Sequence, residues 1–96
     1  MGDRRAKVFV AEDTNFQVAD TLVVHNVEGT LGQAGTRGWV ACDGAGNITV
    51  EIGTSGGYQT SFTLKQGDAF DLDGLTVGRI RLTHTGSDSA YRIVVA

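Results

Sequence analysis

The sequence predicts an all-β fold, a compact antiparallel β-sandwich or barrel of jelly-roll-like form with about eight short strands. Three observations predict it. Apolar residues alternate with polar ones over runs of about four to eight residues, the period of a strand with one buried face. Gly, Asn, Asp and Ser separate these runs, and the 96 residues include 14 Gly and no Pro. No window of helical length carries an apolar stripe with the 3.6-residue period.

Several breaks between the runs carry residues that tolerate a positive φ or cap their own backbone, which is the chemistry of tight turns. They include Asp43–Asn47, Thr54–Gly57, Gln66–Asp68 and Asp73–Gly74. The Asp-Gly pair of the last one is the strongest hairpin signal in the chain. We therefore expect consecutive strands to run antiparallel. The predicted strands are Lys7–Ala11, Phe16–Val18, Thr21–Val27, Gly38–Cys42, Asn47–Ile52, Tyr58–Leu64, Ala69–Leu72, Leu75–Thr83 and Ala90–Val95.

The apolar residues on one face of these strands form the predicted core. Cys42 is expected to be a small buried apolar residue, because a lone cysteine cannot form a disulfide within the chain. The remaining predicted core residues are Val23, Val40, Ile48, Val50, Phe62, Leu64, Phe70, Leu72, Ile80, Leu82, Tyr91 and Ile93.

The length allows one domain with a thin core, so we expect residues 8–96 to form a single β domain. Residues 1–7 are expected to be a flexible N-terminal arm that becomes ordered on a partner, although a frayed, solvated terminus is the alternative. Eleven acidic and eight basic residues give a net charge of −3, which argues against nucleic acid as a partner. No apolar run approaches the roughly 20 residues of a membrane span, and no secretory signal is visible, so a cytoplasmic product is expected.

Glycines recur every three residues over Gly29–Gly38. The segment lacks the Gly-Lys-Ser/Thr ending and the following helix of a phosphate-binding loop. We therefore predict a mobile surface loop. Because it is longer than the usual connection in a small domain, it is also a candidate partner-facing element through Gly32, Gln33 and Arg37.

No constellation of catalytic residues is apparent, so we predict a protein that is not an enzyme and that has no cofactor or metal. His25 and His84 lie in strands and are expected to be structural. The acidic run Asp68–Gly74 superficially resembles a calcium loop, but Leu82 stands where the bidentate Glu of an EF-hand should fall. A turn-capping role for Asp73, with Asp68 and Asp71 solvated, is the main interpretation; an irregular calcium site is the alternative.

A resemblance to a known class of proteins comes from residues 61–93. A strand ending in Leu-x-x-Gly-Asp is followed by a strand of alternating apolar and basic residues and by a Tyr-Arg-Ile strand. This order resembles small all-β virion proteins of tailed bacteriophages, of the capsid decoration or cement type. The resemblance implies a structural protein, a trimer on the outer surface of an icosahedral head, with the major capsid protein or other virion subunits as partner and assembly in the host cytoplasm. A carbohydrate- or ligand-binding module is the alternative, favoured if Trp39 and Tyr58 share an exposed face.

The last two strands predict a basic patch. If Leu82 pairs with Tyr91 and Ile80 with Ile93 on the core face, Arg81 lies opposite Arg92 on the other face, and Arg79 joins them there. Like charges directly across a pair of strands are unfavourable unless carboxylates lie nearby. Those carboxylates could belong to Asp71 or Asp73, or to a neighbouring subunit. Strand edges without Pro and a thin core also predict an oligomer, with three subunits expected. The predicted partner interface is Arg4, Arg5, Lys7, Gly32, Gln33, Arg37, Arg79, Arg81 and Arg92.

Overall fold

A computed structural model describes residues 8–16, 22–54, 56–84 and 88–96, and it contains two four-stranded sheets. Sheet A has the strand order β1-β8-β3-β6, and sheet B has the order β2-β7-β4-β5. The predicted all-β sandwich is confirmed. Its elements are β1 Phe9–Phe16, β2 Leu22–Asn26, α1 Val27–Leu31, β3 Gly38–Cys42, β4 Ile48–Thr54, β5 Gly57–Leu64, β6 Ala69–Asp71, β7 Arg79–His84 and β8 Ser89–Val95.

The strand order is that of a jelly roll. All strand pairs are antiparallel, and among the described strands only β4 and β5 are both consecutive and paired. Every other connection moves the chain from one sheet to the other, which is the Greek-key pattern of jelly-roll sandwiches. The jelly-roll-like form is therefore confirmed, whereas the hairpin expected at Asp73-Gly74 and the pairing expected between the last two strands are wrong. Alternation tells which face of a strand is buried but not which strand lies beside it.

The Asp73-Gly74 turn illustrates this difference. It was predicted to join two paired strands, but β6 pairs with β3, and β7 begins at Arg79 in the other sheet. The backbone N–H of Asp73 donates to Oδ1 of Asp71 at 2.9 Å, and that of Leu75 donates to the Leu72 carbonyl at 3.0 Å. The turn therefore redirects the chain between the sheets rather than closing a hairpin.

The helix α1 includes the first three residues of the predicted surface loop Gly29–Gly38, so the loop prediction is wrong for Gly29–Leu31. The Asn26 side chain accepts a hydrogen bond from the Gly29 N–H at 3.0 Å, which caps the five-residue helix α1. Gly35 then forms a bridge with Val77 through two hydrogen bonds of 2.8 Å. A helix of five residues is too short to show the 3.6-residue period. No helix in the described part of the chain is long and apolar enough to cross a membrane.

Strand β1 runs through the break that was predicted between Ala11 and Phe16, with a register irregularity between Asp13 and Phe16. The predicted strand Leu75–Thr83 begins too early, because β7 begins only at Arg79. The predicted strand positions Val18 and Thr21 lie outside the described residues, as does the whole predicted arm, residues 1–7.

The core lies between the two sheets. Most of the predicted core residues are buried, including Cys42, while Val23, Phe62 and Phe70 are partly buried and pack against the others. The rings of Phe62 and Phe70 stack at 3.9 Å between their centroids, which joins β5 and β6 across the two sheets. The buried members of the core cluster that were not predicted are Phe9, Phe16, Val27, Ile52, Val77 and Val95.

Candidate functional site

The basic patch predicted for the last two strands is not formed, because β7 and β8 lie in different sheets. Leu82 pairs with Val23 and Val50 in sheet B, and Tyr91 pairs with Asp13 and Cys42 in sheet A. In each of the two strands, residues alternate between the core face and the outer face, and the arginines occupy outward positions. Since the two sheets expose opposite faces, the arginines of β7 and β8 lie on opposite sides of the sandwich.

Arg81 is neutralised on the outer face of sheet B by Glu51 on the neighbouring strand. Its Nε donates to Oε1 of Glu51 at 2.9 Å, and its Nη2 donates to Oε2 at 2.7 Å. Hydrogen bonding to Arg81 lowers the pKa of Glu51, and the same bond raises the pKa of Arg81. The guanidinium also lies 4.2 Å from the centroid of the Tyr58 ring. A bidentate pair of this kind fixes the arginine in place.

Arg92 is neutralised on the outer face of sheet A by Asp43. Its Nε donates to Oδ2 of Asp43 at 2.7 Å, and its Nη2 donates to Oδ1 at 3.1 Å. This hydrogen bonding raises the pKa of Arg92. The same-chain carboxylates predicted for this role, Asp71 and Asp73, are therefore the wrong ones, and the structure uses Glu51 and Asp43 instead.

The other predicted interface residues are spread over the molecule. Arg79 is half-buried in β7, where its Nε has no hydrogen-bond partner among the described residues. Gly32 and Gln33 are exposed after α1, and Arg37 is exposed before β3. The described members of the predicted interface therefore do not share one surface. Arg4, Arg5 and Lys7 lie outside the described residues.

The outer face of sheet A carries an apolar surface that the sequence analysis did not predict. Val10 pairs with Val94, and Val94 pairs with Trp39, so that the three side chains form one row across strands β1, β8 and β3. Val10 is 66% exposed, Trp39 is 37% exposed, and Val8 beside them is 49% exposed. We call these four residues the sheet A face. Apolar side chains side by side on an outer face are typical of interaction surfaces.

An open groove of about 510 Å³ adjoins the sheet A face on the side of β6. Asp71 and Asp73 each have a carboxylate oxygen held by the backbone: Oδ1 of Asp73 accepts from the Gly38 N–H at 3.2 Å, and Oδ1 of Asp71 accepts from the Asp73 N–H. The turn-capping role thus belongs to Asp71, and also to Asp68, which accepts from the Lys65 N–H. The groove is lined by Trp39, Ala69, Phe70, Val94, Ala96, Gly38, Arg37, Asp71 and Asp73.

In the ranges that the structure describes, no three His, Cys, Asp or Glu side chains are grouped so that they could hold a metal ion. Trp39 and Tyr58 also do not share a face, because Trp39 lies in sheet A beside Arg92 and Tyr58 lies in sheet B beside Arg81. The shared stacking platform expected of a carbohydrate-binding module is therefore absent.

His25 faces the interior of the sandwich from the edge strand β2. Its Nε2 lies 3.0 Å from the hydroxyl of Tyr91, and its ring meets the Phe9 ring edge-on at 5.6 Å between centroids. Burial lowers the pKa of His25 below its usual value of 6.5, while the carboxylate of Asp13 acts in the opposite direction. The neutral imidazole is thus favoured in the folded protein.

This environment predicts a loss of stability in mild acid. Since the folded pKa of His25 lies below the unfolded value of 6.5, the unfolded chain takes up the proton first as the pH falls. Stability from the neutral ring is complete above that value and is lost as the pH falls toward the folded pKa. In urea unfolding at pH 8 and pH 5.5, His25→Gln should lose less stability between the two pH values than the wild type. An equal loss in both proteins would contradict the assignment.

Comparisons of the chain with protein-family models, with curated proteins and with solved structures found no match. The sheet A face and the adjoining groove are therefore the candidate functional site. The sequence contained one signal for them: Trp39 and Val94 occupy positions of the outward period in strands whose other outward residues are polar or small.

Proposed function

We propose that the chain is a non-enzymatic structural protein of a phage virion, a capsid decoration or cement protein. It binds the outer surface of the head as a homotrimer, with the major capsid protein as its partner, and it is assembled in the host cytoplasm. The observation that carries the proposal is the sheet A face, on which Val8, Val10, Trp39 and Val94 form a contiguous apolar surface.

The position of these side chains argues for a covered face. An antiparallel sheet that faces water usually alternates between apolar residues inside and polar residues outside. Val10 and Trp39 break that rule on either side of Val94, and both side chains are exposed. If a partner covers this face in the assembled state, the exposed apolar side chains are explained without any catalytic role.

Two further features agree with the proposal. Jelly-roll sandwiches are frequent among viral capsid domains, although they also occur in lectins and cupins, so this is an analogy at the level of the fold. The resemblance of residues 61–93 to decoration proteins points to the same class. Closed cyclic assembly is the usual way in which a small subunit forms a stable oligomer.

Co-sedimentation with empty heads of the phage that encodes the chain tests the proposal. The wild type should pellet with heads, and Val10→Lys should pellet less by about tenfold, because a charge would be buried on the sheet A face. Leu22→Lys is the matched control, since Leu22 is an apolar residue 54% exposed on the edge strand of sheet B. Failure of the wild type to pellet, or equal binding of Val10→Lys and wild type, would contradict the proposal.

A further inference from the structure

We propose that residues 1–7 of one copy bind in the groove beside Trp39 on a second copy, so that the oligomer is linked by exchanged segments. This inference rests on the oligomeric state in the proposed function and names the contact that creates it. It joins a basic segment to an apolar groove that carries two fixed carboxylates, those of Asp71 and Asp73.

Charge is distributed very unevenly along the chain. Residues 1–7 contain three of the eight basic residues and one acidic residue, for a net charge of +2. Residues 8–96 contain the other five basic residues and ten acidic ones, for a net charge of −5. The segment is therefore attracted to the rest of a like molecule, and opposite charges on two surfaces favour their association.

The groove retains negative charge after its own cation is counted. Asp71 and Asp73 at its rim outnumber Arg37, which leaves a net charge of −1. Oδ1 of each aspartate accepts one backbone hydrogen bond, so each carboxylate has a second oxygen for an arginine. Arg81 and Arg92 cannot fill the groove without leaving their own carboxylates.

The floor of the groove suits the stems of basic side chains. Trp39, Ala69, Val94 and Ala96 provide apolar surface next to the two carboxylates. Arginine and lysine pack their methylene stems on such surface while the charged group reaches a carboxylate. The indole ring of Trp39 is 37% exposed, and Arg92 of the same chain already lies 5.4 Å from its centroid, so an incoming arginine would have to stack on the other face of the ring.

The geometry of sheet A brings the segment and a groove within reach. Phe9 and Gly38 both pair with Val95, so the start of β1 and the start of β3 lie at the same end of the sheet. The groove lies at that end, since Ala96 and Asp73 line it. Seven residues span at most about 24 Å when extended, and three strand spacings are about 14 Å.

A second copy is the occupant favoured by the direction of β1. The strand runs from Phe9 away from the groove end, so its straight continuation before Val8 leaves the sandwich. Reaching the groove of the same molecule would require a reversal of the chain and a crossing over β8. A copy packed at that end would receive the segment without a reversal.

Sedimentation velocity tests the contact in the absence of heads. Asp71→Asn with Asp73→Asn changes the net charge of the groove from −1 to +1 but keeps the acceptors for the backbone N–H groups, and it should weaken the oligomer by about tenfold or more. Arg4→Gln with Arg5→Gln should weaken it to a similar extent. Asp68→Asn is the control, because Asp68 is exposed on the same edge but does not line the groove. An oligomer unchanged by either double substitution, or equally weakened by the control, would overturn the inference.

A disulfide trap separates binding to a second copy from binding within one molecule. In a variant with Ala6→Cys and Ala69→Cys, mild oxidation should give covalent dimers and trimers on a non-reducing gel. Loss of free thiols with only a monomer band would overturn the second-copy contact. If the trap gives only monomers while the wild type still pellets with heads, the inference fails and the proposed function stands. If the trap gives covalent oligomers but the protein never binds heads, the inference stands and the proposed function fails.

Discussion

Replacing Gly38 with alanine should destabilise the protein by about 4 kcal/mol, from backbone strain and overcrowding together. Gly38 has a φ of +144°, and a Cβ there would lie 2.0 Å from the Val94 carbonyl oxygen. That oxygen belongs to the backbone of β8, which pairs with β3 at this point, so relief of the overlap would separate the two strands. Urea unfolding followed by far-UV circular dichroism measures the loss.

Gly57→Ala is the matched control for this prediction. Gly57 has a similar φ of +131°, but a Cβ there would meet nothing within 4 Å. Only the strain of the backbone conformation should remain, about 1 to 3 kcal/mol. Equal destabilisation by the two substitutions would contradict the argument that close approach of β8 requires glycine at position 38.

Leu82→Ala should cost about 3 kcal/mol, because it leaves a cavity between the sheets. Leu82 is 0% exposed and lies in β7, which is held between β2 and β4 in sheet B. For a domain of this size such a loss lowers the melting temperature by roughly 12 to 24 °C.

Leu22→Ala makes the same chemical change at a side chain that is 54% exposed. Its effect should stay within about 0.5 kcal/mol, as is usual for surface positions. Differential scanning calorimetry of the two variants and the wild type measures both effects. Similar melting temperatures for the two variants would contradict the assignment of Leu82 to the tightly packed core.

The alternation of residues predicted the faces of the strands far better than it predicted their neighbours. Arg81 and Arg92 both point outward, as the two-residue alternation in their strands predicts. Their carboxylate partners are 30 and 49 residues away in sequence, because the chain crosses between the sheets at almost every connection. No local pattern carries that information, since it is set by packing of the two sheets around a common core.

The candidate site also depends on the order of the strands in the sheets, which no local sequence pattern shows. Trp39 could be placed in a strand from the sequence, but its row with Val10 and Val94 exists only because β8 lies between β1 and β3. The helix α1 escaped prediction for a different reason. Its stability comes from the cap at Asn26 and from burial of Val27, not from an apolar stripe over several turns.

The proposed function requires that the chain occupy the outer surface of a phage head, and electron cryomicroscopy of heads assembled with and without the chain tests this central claim most directly. We expect additional density on the outer surface of the wild-type heads, in clusters of three jelly-roll domains. The sheet A face of each domain should be covered by protein in that density. Identical reconstructions of the two kinds of head would contradict the proposal that this chain is a decoration protein.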